Sequence, residues 1–238
     1  MPIRAVTLDA AGTLFTVAEP VGATYARIAA DHGIAIAADA VERGFRAAFA
    51  AAPPLAFPGA SPTRLAEHER AWWYTVVRAA FGAAARATAF ETCFDAIFAH
   101  YARAGAWRGF PDAPAALVAL RARGLRTAIV SNFDGRLRGL VDDLGLAPLV
   151  DVTLWSTRVG HAKPAPEIFV AAANALGVAP GVALHAGDGP VADVEGARRA
   201  GMTAVLVDRR ATAPAAAGVR VVATLAELPP LLDALAQP

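Results

Sequence analysis

The chain has 238 residues, of which 56% are hydrophobic and 18% are charged. This length supports one large domain, or a core domain that carries a smaller insertion. The 22 basic and 21 acidic residues give a net charge of +1, which excludes the strongly basic surface of a typical nucleic-acid-binding protein. We therefore expect neither a nucleic-acid partner nor a membrane surface, whereas small anionic substrates fit the composition.

The cysteine content and the apolar segments indicate a cytoplasmic protein. Cys93 is the single cysteine and cannot form an intramolecular disulfide. The N-terminal sequence MPIRAVTLDA lacks the charged segment and following apolar stretch of a secretory signal. The high mean hydropathy comes from alanine and from short valine and leucine runs, and no stretch reaches the about 18 uninterrupted apolar residues of a membrane span. We expect a reducing, cytoplasmic setting.

The first element is a short apolar run, residues 3–8, that predicts a buried strand. Asp9 follows it, and a turn through Gly12 and Thr13 comes next. A carboxylate at the carboxyl end of a buried strand lies where open α/β sheets bind ligands. Asp9 is therefore the first candidate site residue.

The next segment predicts helices without a strand. Their approximate ranges are 19–32, 39–52, 65–81 and 86–104. Aromatic residues recur in these helices at spacings near three and four, which predicts the core of a helical bundle in preference to an aromatic cage around a cofactor. The proline-rich loop 53–62 and arginines of this segment such as Arg27, Arg64 and Arg70 are candidate specificity elements, although a solvated surface is the better explanation for any one of these arginines.

From residue 111 onwards, short apolar strands alternate with helices. Strands are predicted near 125–130, 150–154, 182–186, 203–207 and 220–222, with helices near 112–123, 134–144, 166–176, 191–200 and 225–236. Such alternation predicts an α/β fold with a doubly wound parallel sheet, covered on both faces and including the first strand. The predicted organisation is a core of residues 1–16 and 109–238 with an inserted all-helical domain of residues 17–108.

Further polar residues follow the predicted strands and would meet Asp9 at one edge of the sheet. They are Ser131, Asn132, Lys163, Asp188 and Asp193. Each has a simpler interpretation on its own: a serine can end a strand, a lysine can be a solvated loop residue, and an aspartate can sit in the first turn of a helix. By the same reasoning Asp134 is interpreted as a helix N-cap and His185 as a hydrogen-bonded core histidine.

The order of these segments resembles the haloacid dehalogenase superfamily of aspartate-nucleophile hydrolases. The matching sequences are LDAAGTL, VSN, AKPAPEIF with its lysine, and GDGPVAD. The helical insertion resembles, by position and helicity, the four-helix cap of the first subclass. The segments SNFDGRLRGLVDDLGL and LHAGD look most similar to the rhythmically expressed gene-two-like subgroup.

This resemblance implies a set of roles for individual residues. Asp9 would be the nucleophile and a Mg²⁺ ligand, and Lys163 would neutralise the nucleophile and the phosphate. Ser131 and the Asn132 backbone would hold phosphoryl oxygens. The backbone carbonyl of Ala11 would be a further metal ligand. Asp188 and Asp193 would bind or orient the ion. A small phosphorylated metabolite would be the substrate, and the protein would be a monomer or a homodimer.

The chain departs from the superfamily pattern at Ala11. Phosphatases of the superfamily usually carry a second aspartate there, which protonates the leaving group, and alanine cannot move a proton. Three hypotheses stay open: a phosphatase of activated phosphates, a 2-haloacid dehalogenase, and a binding or regulatory protein on a hydrolase scaffold. Haloacid dehalogenases also lack that acid. Their fourth motif, however, resembles a Ser-Asn pair, whereas this chain has Gly187-Asp188 there and so keeps a carboxylate of the kind that binds a metal.

Overall fold

The structure is a computed structural model, and it describes residues 2–211 and 218–236. Within those residues the strands are β1 Ala5–Leu8, β2 Phe15–Val17, β3 Trp107–Gly109, β4 Arg126–Ser131, β5 Val152–Trp155, β6 Ala183–Gly187, β7 Thr203–Val207 and β8 Arg220–Val222. The α-helices are α1 Val21–Asp31, α2 Ala38–Ala51, α3 Leu65–Phe81, α4 Phe90–His100, α5 Asp112–Ala122, α6 Arg136–Asp143, α7 Ser156–Val159, α8 Pro166–Ala175, α9 Gly196–Arg199 and α10 Leu228–Ala236.

A parallel sheet of six strands forms the centre of the molecule, in the order β5-β4-β1-β6-β7-β8. β1 lies between β4 and β6, and Leu8 is paired with Ile129 on one side and with Ala186 on the other. Helices surround this sheet, so the predicted doubly wound α/β class is confirmed. The carboxyl end of β1, where Asp9 follows, is thus at the middle of the sheet edge.

The two faces of the sheet are buried under different helices. Val6 and Leu8 of β1 belong to one apolar cluster, which also contains Leu117 of α5 and Leu140 of α6. Ala5 belongs to a second cluster on the opposite face, together with residues of α8 and α9. Successive strand residues point to opposite faces, which explains why all four residues of β1 are buried without alternation.

Helices α1 to α4, here called the four-helix unit, enclose an apolar cluster of their own. Phe90 and Phe94 are buried in it, as the bundle-core prediction requires. Tyr25 and Phe81 are buried there as well, whereas Phe49 leaves 47% of its surface exposed. The four-helix unit therefore has its own hydrophobic core beside that of the sheet.

Three local differences from the sequence prediction occur near the sheet edge. β2 and β3 pair antiparallel with Thr16 opposite Arg108, so the ends of the predicted all-helical segment form a two-stranded ribbon. Three-residue strands are too short to show a periodic pattern, which is why the sequence did not reveal them. Helix α6 begins at Arg136, two residues after the predicted start. The predicted helix 191–200 is split into a π-helical turn, Pro190–Glu195, and α9.

Hydrogen bonds fasten the four-helix unit to the sheet. Trp73 Nε1 donates to Asp134 Oδ2 at 2.6 Å, and the Gly135 amide donates to Glu69 Oε1 at 3.0 Å. The N-cap of α6 is Gly135 and not Asp134 as predicted, although Asp134 Oδ1 accepts the Arg136 amide at 3.0 Å. Asp134 is also fully buried and paired with the Arg136 guanidinium at 2.6 Å. The residue interpreted as a cap therefore also joins the two parts of the molecule.

None of the helices in the described ranges combines the length and the apolar character that a membrane crossing requires.

Gly44 of α2 tests how closely the helices of the unit pack. A Cβ on Gly44 would overlap the carbonyl oxygen of Ala80 on α3, whereas one on Gly139 of α6 would meet nothing within 4 Å. We expect Gly44→Ala to lower the free energy of unfolding by about 1–3 kcal/mol, the usual cost of overpacking. Gly139→Ala, the control, should raise it by up to about 1 kcal/mol, because alanine is the better helix former. Urea denaturation measures both, and equal stability of the two variants would contradict the packing described.

Candidate active site

The structure brings the predicted residues to one edge of the sheet. Asp9 follows β1, Ser131 ends β4 and Asp188 follows β6, so all three lie at carboxyl ends of neighbouring strands. Lys163 comes from the loop between α7 and α8, and Asp193 from the π-helical turn. Parallel strands end at the same edge, which is why residues so distant in sequence converge here.

Lys163 lies at the centre of this group. Its ammonium nitrogen donates to Asp9 Oδ1 at 2.5 Å and to Asp193 Oδ1 at 2.6 Å. All three residues are buried, with 5%, 6% and 2% of their surfaces exposed for Lys163, Asp9 and Asp193. A buried charge is tolerated only when it is paired, so this ammonium and its two carboxylates depend on one another.

The side chain of Asn132 fixes the loop that carries Lys163. Asn132 Nδ2 donates to the Lys163 carbonyl at 2.9 Å, and the Lys163 amide donates to Asn132 Oδ1 at 2.7 Å. This reciprocal pair uses both ends of the amide side chain. Asn132 therefore leaves its own backbone as the group that can face a ligand.

The three aspartates form an acidic cluster. One carboxylate oxygen of each of Asp9, Asp188 and Asp193 lies within 4.8 Å of the others. Burial, together with the charges of Asp9 and Asp193, raises the pKa of Asp188 to about 7. Three carboxylates against the single ammonium of Lys163 leave a negative surplus, and oxygen donors of this kind suit a hard divalent cation.

Burial and pairing act in opposite directions on the other groups. Burial raises the pKa of Asp9 despite the nearby ammonium of Lys163. Burial also opposes ionisation of Asp193, but Lys163 and His185 outweigh it and hold the pKa of this carboxyl below its usual range. Burial would lower the pKa of Lys163, yet its two carboxylate partners raise it, so the ammonium stays charged. The two carboxyl groups that Lys163 contacts therefore shift in opposite directions, because the pKa of Asp9 rises and the pKa of Asp193 falls.

Two glycines allow the carboxylates to approach the backbone. Gly12 has a φ of +93°, and a Cβ on it would overlap the Asp188 carboxylate. A Cβ on Gly187 would overlap Asp193. Both positions therefore require glycine for steric reasons, and at Gly12 the positive φ adds a conformational reason.

His185 is a site neighbour that the sequence prediction placed only in the core. It is fully buried and hydrogen-bonded, as predicted. Its Nδ1 lies 2.8 Å from Thr7 Oγ1, and its Nε2 lies 3.0 Å from Asp193 Oδ1. An ionised carboxylate can only accept, so Nε2 carries a proton and donates to Asp193. The available signal was one polar residue in each of two apolar strands, since Thr7 and His185 are register partners.

Arg209 is a second residue that the sequence did not indicate. Its guanidinium donates to the Thr13 carbonyl at 2.7 Å, pairs with Asp112 at 3.1 Å and stacks on Phe110 at 3.8 Å. Its bond to the Thr13 carbonyl thereby stabilises the turn that follows Asp9. No motif marks this arginine, because its partners are a backbone oxygen and residues far away in the chain.

An open cleft of about 770 Å³ borders this site, and its lining includes Gly12 and Asp188. The arginines on its walls are Arg46, Arg108, Arg209 and Arg210. The arginines suggested from sequence lie elsewhere: Arg64 and Arg70 form exposed ion pairs with Glu67 and Asp95, and Arg27 is exposed. A ligand that reaches Asp188 through this cleft would pass the four arginines of its walls and not the three suggested from sequence.

Asp188→Asn should stabilise the metal-free protein in a pH-dependent way. The folded pKa of Asp188 is raised to about 7 from the ordinary aspartate value of 3.8, so ionisation of this carboxyl weakens folding as the pH rises towards 7. Asparagine stays neutral, so the gain in melting temperature should be small at pH 5 and larger at pH 8. Thermal denaturation with a chelator present measures it. Asp142→Asn, an exposed position on α6, is the control, and a gain that falls with rising pH would contradict the acidic cluster.

Comparison with known proteins agrees with this geometry. Residues 3–201 match the family described as haloacid dehalogenase-like hydrolase. Human haloacid dehalogenase-like hydrolase domain-containing protein 3 is 35% identical over 209 residues, which cover 87% of this chain and 82% of the human protein. Phosphoserine phosphatase of Thermus thermophilus is 45% identical over 101 residues, which cover 42% of this chain and 41% of that protein.

Among solved structures, a defluorinating L-2-haloacid dehalogenase superimposes with a TM-score of 0.75 and 21% identity, covering 97% of this chain and 95% of the other. At this identity the likeness concerns the fold alone. The sheet, the convergence of Asp9, Lys163 and Asp193, and the match over residues 3–201 lead to one conclusion. The chain belongs to the haloacid dehalogenase-like hydrolase family.

Proposed function

We propose that the protein is a Mg²⁺-dependent phosphatase that acts on a small phosphorylated metabolite, with Asp9 as its nucleophile. The observation that carries this proposal is the position of the Asp9 carboxylate. It lies at the end of the central strand, 2.5 Å from the Lys163 ammonium and in one cluster with Asp188 and Asp193. The family membership and the phosphatase among the relatives support the same reaction class.

In the proposed reaction the Asp9 carboxylate attacks phosphorus. A bond forms between an Asp9 oxygen and phosphorus, and the bond to the leaving oxygen breaks with its electron pair going to that oxygen. Water then cleaves the aspartyl-phosphate and restores Asp9. Lys163 reduces the repulsion between the two anions, while Ser131 and the Asn132 backbone hold phosphoryl oxygens.

The acidic cluster fits Mg²⁺ by the chemistry of its donors. Asp193 is already engaged, since Oδ1 accepts from Lys163 and His185 and Oδ2 accepts the Gly189 amide at 2.7 Å. Asp9 and Asp188, with the Ala11 carbonyl, would therefore hold the ion directly, and Asp193 would act through Lys163. When bound, Mg²⁺ supplies positive charge that stabilises the phosphoryl oxygens.

The four-helix unit has a proposed role as well. We assign residues 17–108 as a cap of the first subclass that covers the sheet edge, excludes water and selects the substrate. Two hydrogen bonds support this assignment, because they join the unit to the loop after β4: Trp73 donates to Asp134, and Glu69 accepts from the Gly135 amide. The LHAGD and SNFDGRLRGLVDDLGL segments support the gene-two-like subgroup.

The absence of an acid at Ala11 should restrict the leaving group. General acid catalysis is typically worth about 10²–10⁴-fold, and it matters most for poor leaving groups. We expect faster Mg²⁺-dependent turnover of p-nitrophenyl phosphate than of a sugar phosphate. Ala11→Asp should raise kcat/KM for the sugar phosphate more than for the aryl phosphate, and Asp9→Asn should abolish both activities.

Steady-state kinetics with and without Mg²⁺ provide these values. Faster turnover of the sugar phosphate by the unaltered protein would contradict the restriction. If turnover survives in Asp9→Asn, it does not come from this site, and a binding or regulatory role on a hydrolase scaffold becomes the better proposal.

A dehalogenase is the second candidate, and Ala11 is the observation that favours it. Halide leaves without a proton, so the missing acid would cost nothing. The acidic cluster of Asp9, Asp188 and Asp193 favours phosphoryl chemistry instead, because displacement of halide by a carboxylate needs no cation. Metal-independent chloride release from 2-chloropropionate would reverse this order.

His185 should act as a positioning residue for Lys163 through Asp193. His185→Leu removes the donor to Asp193, and we expect kcat to fall by about 10–100-fold, the usual effect of losing a supporting hydrogen bond in such sites. His185→Gln keeps a donor and should recover part of kcat. Activity on p-nitrophenyl phosphate and melting temperatures distinguish this role from a packing role, in which kcat would follow stability and glutamine would bring no recovery.

A further inference from the structure

An apolar cavity of about 90 Å³ lies where the four-helix unit meets the ribbon and the loop after β4. Its walls are mainly aromatic and aliphatic side chains, and they include Val77, Phe94, Ile97, Trp107 and Phe133. Protein interiors are normally packed without voids of this size, because an empty apolar space forfeits contacts.

The charged residue of the cavity wall, Arg136, is already satisfied by protein groups. Its Nε and one terminal nitrogen donate to Asp134 at 2.9 and 2.6 Å, and the other terminal nitrogen donates to the Phe98 carbonyl at 3.1 Å. The guanidinium also stacks on the Phe98 ring at 4.1 Å. Arg136 therefore needs no anionic ligand to pair with. A group bound in the cavity would make mainly apolar contacts.

The cavity adjoins the cleft that leads to the acidic cluster. Val17 and Val21 line both spaces, and the cleft also contains Gly12 and Asp188. On the opposite side, Phe133 of the cavity wall directly follows Asn132. A molecule whose phosphoryl group is at Asp9 therefore has this apolar space beside it.

We propose that the cavity receives the organic part of the substrate, and that this part is a compact branched aliphatic group. The inference rests on the proposed phosphatase function and names its substrate class. A benzene molecule occupies an engineered cavity of about 150 Å³, so a space of about 90 Å³ suits a smaller group, and the ring of p-nitrophenyl phosphate would stay in the open cleft. Contact with Val77 and Ile97 supplies binding energy in proportion to the apolar area buried.

A pair of acyl phosphates tests the inference, since their leaving groups need no protonation. Acetyl phosphate and isovaleryl phosphate differ in the branched arm, and we expect kcat/KM to be at least about 10-fold higher for isovaleryl phosphate, the gain from burying two or more methylene-sized groups. Val77→Phe fills the cavity and should bring this ratio close to one. Val77→Ala enlarges the cavity and should shift the preference towards the larger phenylacetyl phosphate.

Val118→Phe is the matched control, because Val118 lies on α5 and is 53% exposed. It should leave the ratio unchanged. No Mg²⁺-dependent hydrolysis of acetyl phosphate would overturn the proposed phosphatase function itself. Hydrolysis of acetyl phosphate with equal kcat/KM for both substrates, or a ratio that Val77→Phe leaves intact, would overturn the cavity assignment alone.

Discussion

The ammonium group of Lys163 lies between two buried carboxylates, and the rest of the site depends on that contact. Asp9 and Asp193 would repel each other without it, and Lys163 would be an unpaired buried cation without them. The surrounding residues keep this arrangement in place. Asn132 fixes the backbone of Lys163, while His185 and the Gly189 amide hold Asp193. The Asp9 carboxylate is thus held in place by a network of paired and hydrogen-bonded residues.

The parallel strands make this network possible because they end at the same edge of the sheet. Hydrogen bonding along β1, β4 and β6 brings Asp9, Ser131 and Asp188 together, although they are widely separated in the chain. Glycines at positions 12 and 187 then remove the side chains that would keep the carboxylates apart. Burial, together with the nearby charges of Asp9 and Asp193, raises the pKa of Asp188. A bound cation would offset that shift.

Much of this arrangement could be predicted from the sequence, and the exceptions have physical reasons. Asp9 and Asp188 are recognisable because each follows a predicted strand, and Lys163 is recognisable because it shortly precedes a predicted helix. The ribbon of β2 and β3 was missed because each strand has three residues and its partner is about ninety positions away. The contact between His185 and Thr7 was missed because it depends on the register between β1 and β6. The cavity depends on packing between side chains, which no local pattern encodes.

The segment from residue 131 to residue 136 belongs to both parts of the molecule. Its first residues end β4 at the site, Asp134 receives the indole of Trp73, and Arg136 reaches the Phe98 carbonyl on α4. The four-helix unit therefore cannot lift away without either breaking these bonds or pulling on the strand end beside Asp9. These six consecutive residues therefore couple the position of the four-helix unit to the geometry of the strand end beside Asp9.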